Sequence, residues 1–337
     1  RISKASPLTA LDRVSLALIG PGRWGRILVE AVQGKSDTVT FTHAVARSPG
    51  KAEEWCREMG IALSENLTDI LVDPGVDGVV LATPHSQHAQ QIIQVAKAGK
   101  DLFCEKPIAL SLEDARRALE AATSAGIVFM PGHNRRFLPA IAEMKARIDA
   151  GGLGKILHAE GNMSSHVGFG EVYTPMMWRV SPGESPAGGL AAAGFHLIDL
   201  LIHLLGPIAG VTAQSRRLVH AIDHDDTTSM LLRFSSGSTG YVGTMTATAP
   251  WFHLQVFGEK GWLKIDGQEE LTFKPVNGPI ETMAFPGVSM EQLELEAFAK
   301  AIRDRTLSPV PCHEIENGIA VFEAVISSAD TESWVSW

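Results

Sequence analysis

Apolar and polar positions follow two different rhythms along this chain. Up to about residue 131, short apolar runs at Val14–Ile19, Thr40–Val45, Gly78–Ala82, Leu102–Glu105 and Ile127–Met130 read as strands. The stretches between them, Gly25–Val32, Lys51–Met59, His85–Ala98 and Leu112–Ser124, carry a helical pattern. Ser111, with Asp114 three residues on, adds a capping signal to the last of these. Strand–helix alternation of this kind builds a parallel sheet wound with helices on both faces. Pro131-Gly132 punctuates its end, so the spacing predicts a first domain over residues 1–131 and a second over 132–337.

Beyond a helix predicted over Leu138–Ala150, the rhythm changes. Strand-like runs follow one another at Ile156–Met163, Val211–Leu218, Thr228–Phe234, Gly240–Thr248, Leu254–Phe257 and Trp262–Ile265, with turns in place of helices between several of them. That predicts an open, largely antiparallel sheet. Helices at Glu291–Arg303 and Glu314–Ser327 close the chain. The expected fold class is α/β: an N-terminal Rossmann domain followed by an α+β domain. Apolar residues alternate in Met230–Phe234 and Tyr241–Met245, with Trp251, Phe252 and Trp262 nearby. They predict a homo-oligomer built on this sheet, unless they pack on the domain's own helices.

Composition narrows the function. The chain has 337 residues and a net charge of −9, which argues against general affinity for nucleic acid or an anionic membrane. Its three cysteines, Cys56, Cys104 and Cys312, form no C-x-x-C pair and read as reduced thiols. Arg1–Leu11 lacks the apolar core of a secretory signal. The long apolar run Ala187–Leu205 carries His196, Asp199 and His203, which makes a buried helix the better reading than a membrane span. A cytoplasmic protein acting on a small molecule is expected. His220–Asp226 is rich in ligating residue types, but its spacing matches no metal template. A polar loop without metal is expected there.

The chemistry begins at the end of the first strand. Gly20-Pro-Gly22-Arg23-Trp24-Gly25 is a Gly-x-Gly-x-x-Gly turn between a strand and a helix, the arrangement that cradles a dinucleotide pyrophosphate. Thr83-Pro84-His85-Ser86-Gln87-His88 follows another strand's C-terminal end, where open α/β sheets bind ligands. Thr83 or Ser86 is equally suited to capping the next helix. Glu105-Lys106-Pro107 closes a third strand; proline keeps Lys106 extended, where its ammonium can serve an alcohol oxygen as hydride leaves the adjacent carbon. On the apolar helix after Gly188-Gly189, His196, Asp199 and His203 fall within about 60° of one another. This polar stripe is expected to face the cleft between the domains.

Cofactor choice is legible at Ala44-Val45-Ala46-Arg47-Ser48. An acid here would accept from the ribose hydroxyls of NAD, whereas Arg47, with Ser48 beside it, favours the 2′-phosphate of NADP. An arginine stacked on the adenine of NAD is the alternative.

These signatures together resemble the glucose–fructose oxidoreductase / inositol dehydrogenase / MocA family. The resemblance rests on the glycine turn, Thr83-Pro84, Glu105-Lys106-Pro107, Asn134-Arg135-Arg136-Phe137, Trp178-Arg179, Gly188-Gly189 and His196-x-x-Asp199, and covers nearly the whole chain. It implies an NAD(P)-dependent dehydrogenase or reductase for a secondary alcohol or ketone of a sugar, cyclitol or similar molecule, with Lys106 and His196 catalytic. It also implies a homodimer or homotetramer. The cofactor set expected is Gly20, Gly22, Arg23, Trp24, Gly25, Arg47, Ser48, Thr83, Pro84, His88, Glu105, Lys106, Asn134, Trp178 and Arg179. Substrate contacts are expected from Arg135, Arg136, His166, Tyr173 and Asp199. The family often has an aspartate four residues before the histidine, where this chain has Ala192. That departure motivates one alternative, a cofactor-sensing regulator; a glycosidase-type lyase that uses tightly held NAD, as some relatives do, is another.

Overall fold

The computed structural model describes residues 13–166 and 177–337. The first domain runs β1 (Val14–Ile19), α1 (Arg23–Val32), β2 (Val39–Val45), α2 (Glu53–Met59), β3 (Ala62–Ser64), α3 (Leu67–Val72), β4 (Gly78–Leu81), α4 (His85–Lys97), β5 (Asp101–Glu105), α5 (Leu112–Ala125) and β6 (Phe129–Gly132). Its six parallel strands lie in the order β3-β2-β1-β4-β5-β6. Strand order reverses beside β1, so the loops after β1 and β4 open a crevice at their carboxyl ends. The short β3 and α3 escape the periodicity because three and six residues hold too little pattern.

Successive side chains of a strand point to opposite faces, and β1 shows what that does. Leu16 and Leu18 join one core with α1, α2 and Phe298, while Ala17 and Ile19 join a second core that continues through the other domain.

The second domain contains α6 (Pro139–Asp149), β7 (Ile156–His166), α7 (Phe195–Leu205), β8 (Ile208–Arg216), β9 (Thr227–Phe234), β10 (Thr239–Met245), β11 (Ala247–Gly258), β12 (Gly261–Asp266), β13 (Glu270–Pro275) and β14 (Glu281–Ala284). Then come α8 (Met290–Asp304), α9 (Cys312–Thr331) and β15 (Val335–Ser336). The nine-stranded sheet has the order β14-β13-β12-β11-β7-β10-β9-β8-β15, antiparallel except for the β7–β10 pair. Met230, Leu232, Phe234 and Val242 are buried in the core that includes α7 and α9. The alternating residues therefore serve the domain's own core. The opposite face displays Leu231 and Tyr241, cross-strand partners, together with Trp251.

Helix α8 does not stay with this sheet. It packs on α1, β1 and β2, and Leu295, Phe298 and Ala299 are fully buried in the first domain's core. At the polar loop, Asp226 accepts from the backbone N–H of Leu218, Val219 and His220. Its carboxylate thus organises the turn. No helix among the described residues is long and apolar enough to cross a membrane.

Candidate active site

The glycine turn fits a dinucleotide. Gly20 has φ +94°, and a Cβ on it would sit 2.8 Å from the Ala82 carbonyl oxygen. A Cβ on Gly25 would lie 2.4 Å from the Gly20 oxygen, so α1 packs against the strand only because that atom is absent. Nothing lies within 4 Å of a Cβ placed on Gly22. Helix α1 starts there with no capping side chain and no acid in its first turn. Its N-terminal N–H groups are left for an anion.

Beside this turn lies a cavity lined by Arg23, Trp24, Thr83, His85, His88, Glu105, Lys106, Asn134, Arg135, Met163, Trp178, Arg179, Ala192, His196 and Met290, among others. Elements from both domains thus bring together Lys106 and His196, the expected catalytic pair, and most of the expected cofactor set. Glu105 accepts from Trp24 Nε1 at 2.6 Å, which ties the end of β5 to the start of α1. Burial pushes its carboxyl up, against the pull of Lys106. Burial likewise lowers the Lys106 ammonium, which Glu105 partly restores.

Lys106 Nζ donates to the carbonyl oxygens of Ala191 at 3.1 Å and Ala192 at 2.7 Å. Residues Leu190–Gly194 wind as a π-helical turn, a local widening frequent at functional sites. Where the family often places a carboxylate, this chain offers lysine two neutral carbonyl groups. His196 follows on α7. Burial, then the charges of Lys106, Arg135 and His133, holds its pKa well below the ordinary imidazole value.

The polar stripe on α7 divides. His196 reaches the cavity, but Asp199 and Arg136, expected as substrate contacts, face each other instead. Arg136 donates through Nε to Asp199 Oδ2 at 2.9 Å and through Nη2 to Oδ1 at 2.6 Å. Its Nη1 pairs with Glu314 of α9, and His133 pairs with Asp199. Asp199 lies one helical position short of a full turn beyond His196, far enough along the axis to point past the cavity at the turn formed by Asn134–Phe137. Burial alone would raise its carboxyl; His133 and Arg136 more than offset that and hold it well below the usual range.

His166 is exposed at the end of β7 and is not among the residues lining the cavity. Tyr173 lies outside the described residues. Pro84 is the N-cap of α4 without a side-chain cap, Thr83 Oγ1 donates to Gln91 and Ser86 Oγ to Glu184, so neither hydroxyl caps the helix, while Thr83 takes its place in the cavity wall. His88, expected at the cofactor, contacts the carbonyl oxygens of Pro107 and Thr83 through its two ring nitrogens, at 2.8 and 3.0 Å, and so links two strand-end loops. Arg47 and Ser48 are exposed just beyond β2.

Several cavity residues escaped sequence reasoning. His85 sits inside a recognised motif; its Nδ1 lies 2.7 Å from the Glu184 carbonyl oxygen, and its ring packs edge-on to Trp178. Glu184 also accepts from the backbone N–H of Ser86 at 3.0 Å, which straps residues 178–184 across the start of α4. Met163 and Met290 carry no polar signal that singles them out.

Comparison with known proteins agrees with this geometry. The family profile described as "Oxidoreductase family, NAD-binding Rossmann fold" matches residues 14–133, and that of the GFO/IDH/MocA C-terminal domain matches residues 141–264. The chain is 35% identical to scyllo-inositol 2-dehydrogenase (NAD(+)) of Bacillus subtilis (strain 168), over 74% of this chain and 72% of that protein. It is 31% identical to 2,7-anhydro-N-acetylneuraminate hydratase of Escherichia coli (strain K12), over 76% of this chain and 68% of that one. A solved levoglucosan dehydrogenase, in complex with NADH and L-sorbose, shares the fold with a TM-score of 0.87 at 23% identity, covering 96% of this chain and 99% of its own. The chain belongs to the GFO/IDH/MocA oxidoreductase family and is an NAD(P)-dependent enzyme of it.

Behind the cavity, Glu294 of α8 is fully buried and neither carboxyl oxygen has a hydrogen-bond partner among the described residues. Burial, then the nearby Glu105 and Glu291, pushes its pKa well above the ordinary value. Between the unfolded pKa of about 4.3 and the raised folded value, only the folded chain keeps the proton, so stability falls as pH rises. Glu294→Gln has no proton to keep. Its melting temperature relative to the parent should climb steadily between about pH 5 and pH 8 in thermal unfolding scans. A difference that stays flat with pH would show that the carboxyl is not held protonated.

Proposed function

We propose that this member of the GFO/IDH/MocA family oxidises a secondary alcohol, or reduces the matching ketone, of a sugar, cyclitol or related polyol. One observation carries the reading: Lys106 and His196 line a single cavity with Arg23 and Trp24 of the glycine turn. The bound nicotinamide supplies the hydride chemistry. Gly20, Gly22 and Gly25 would hold its pyrophosphate, and Trp24, Thr83 and Asn134 would form the wall around it. Lys106 Nζ spends two donors on Ala191 and Ala192, which leaves its third proton for the substrate oxygen. His196, uncharged at neutral pH because of its burial and cationic neighbours, offers a ring nitrogen that can accept a hydrogen bond from the substrate hydroxyl. Lys106→Met should lower turnover by about two to four orders of magnitude with the cofactor saturating. An unchanged rate would remove the lysine from the mechanism. Reduced cofactor should accumulate with the parent enzyme; a hydratase-type reaction, the activity named for the E. coli relative, would leave its level constant.

The preferred cofactor is NADP. Arg47 and Ser48 stand exposed beyond the end of β2, and Glu53, at the start of α2, is the next acid along the chain. A guanidinium there attracts a 2′-phosphate. Arg47→Asp should lower kcat/KM for NADP by about tenfold or more while sparing or improving NAD. A parent enzyme that prefers NAD would transfer to this chain the cofactor named for its B. subtilis relative.

The outer face of the second sheet supports a homo-oligomer, since Leu231, Tyr241 and Trp251 expose 52%, 40% and 52% of their surfaces on it. Light scattering should report a particle at least twice the 36.2 kDa chain mass. A monomer at every concentration would refute this.

A further inference from the structure

Arg135 and Arg136 are adjacent in one short turn, yet their surroundings differ completely. Arg136 meets two carboxylates, those of Asp199 and Glu314. Arg135 is 8% exposed, and its Nε and Nη1 have no hydrogen-bond acceptor among the described residues. Phe252, an apolar neighbour, covers one face of the guanidinium, with Cζ 4.9 Å from the ring centroid. The carboxylate that acts on it, Glu291, accepts instead from Asn134 Nδ2 at 3.1 Å. Burial lowers the Arg135 pKa to about 10, which leaves it charged at neutral pH. A buried charge without a counter-ion is costly.

The local charge balance points the same way. Arg135 acts electrostatically on both Lys106 and His196, so it stands at the reacting end of the cavity. Lys106 donates to neutral carbonyls, and Glu105, the lining carboxylate, is engaged by Trp24. Among the described residues that line the cavity, Glu105 is the one carboxylate, against Arg23, Lys106, Arg135 and Arg179.

We propose that the substrate carries a carboxylate, as an aldonate, a uronate or another sugar or polyol acid does, and that Arg135 binds it. The substrate anion supplies a direct ion-pair partner for Arg135, while Lys106 and His196 engage the hydroxyl that reacts. This deepens the redox reading and rests on it for the polyol part of the substrate.

Calorimetric titration of the cofactor-loaded enzyme tests the idea with matched probes: D-glucuronate against D-glucose, D-galacturonate against D-galactose, D-gluconate against D-glucitol, and D-glucose 6-phosphate as a phosphate ester. At least one acid should bind about tenfold or more tightly than its neutral counterpart. Arg135→Gln should abolish that preference, Arg135→Lys should restore part of it, and the glutamine variant should melt at or above the parent temperature because an uncompensated charge is gone. Equal or tighter binding of the neutral partners, equal weakening of acid and neutral ligands by Arg135→Gln, or failure of every acid to bind overturns the proposal. So does a marked fall in its melting temperature, which would make Arg135 structural. Tightest binding by the phosphate ester moves the anion from carboxylate to phosphate and also overturns it. Selective acid binding without any change in cofactor redox state supports this inference and refutes the redox reading. Efficient oxidation of neutral polyols alone does the reverse.

Discussion

The buried fork between Arg136 and Asp199 is the contact on which the candidate site depends. Two parallel hydrogen bonds join a guanidinium at the end of the nucleotide domain to a carboxylate on α7, and such paired geometry fixes orientation as well as distance. Each partner has a functional neighbour. Arg135 precedes Arg136 in the same turn, and His196 lies three residues before Asp199 on the same helix. His133 and Glu314 complete the cluster, so α9 is drawn into the same brace. Breaking one side of such a buried pair leaves the other charge stranded, at a cost of about 3–5 kcal/mol. The fork contributes alignment more than net stability, because both charges had to leave water to form it.

The π-helical turn at Leu190–Gly194 solves a second problem. A lysine proposed to meet a substrate oxygen has to be aimed without being neutralised. Ala191 and Ala192 aim it through carbonyl oxygens and leave its charge to the surroundings. Lys106 is thereby coupled mainly to Glu105 within the protein. Ala192 therefore adds no charge of its own beside Lys106.

The nucleotide domain was legible because its signals are local. A strand, three glycines and a helix are adjacent in sequence, and Lys106 could be placed from the strand end that carries it. The same logic located His196 but misread Asp199 and Arg136. A polar residue on an apolar helix looks alike whether it meets a ligand or a buried partner, and that partner is 63 residues away. Helix α8 shows the same limit. Its apolar stripe announced burial, yet nothing in Leu295 or Phe298 says which of two cores receives them. Glu294 was hidden for a related reason: an acid on an amphipathic helix ordinarily marks the wet side, and here it lies in the dry one. The alternating apolar residues of β9 predicted an oligomer face unless they packed on the domain's own helices, and the structure assigns them to the core shared with α7 and α9.

The return of α8 to the first domain has a mechanical consequence. The chain passes from one domain to the other before α6, again before α8 and a third time before α9. A single tether lets two bodies swivel freely, and every further tether removes rotational freedom, as a second hinge turns a loose panel into a door. With three tethers and a shared apolar core, wide gaping of the two halves is suppressed. At the rim of the cavity, residues 178–184 are joined to the start of α4 through the contacts of Glu184 with His85 and Ser86.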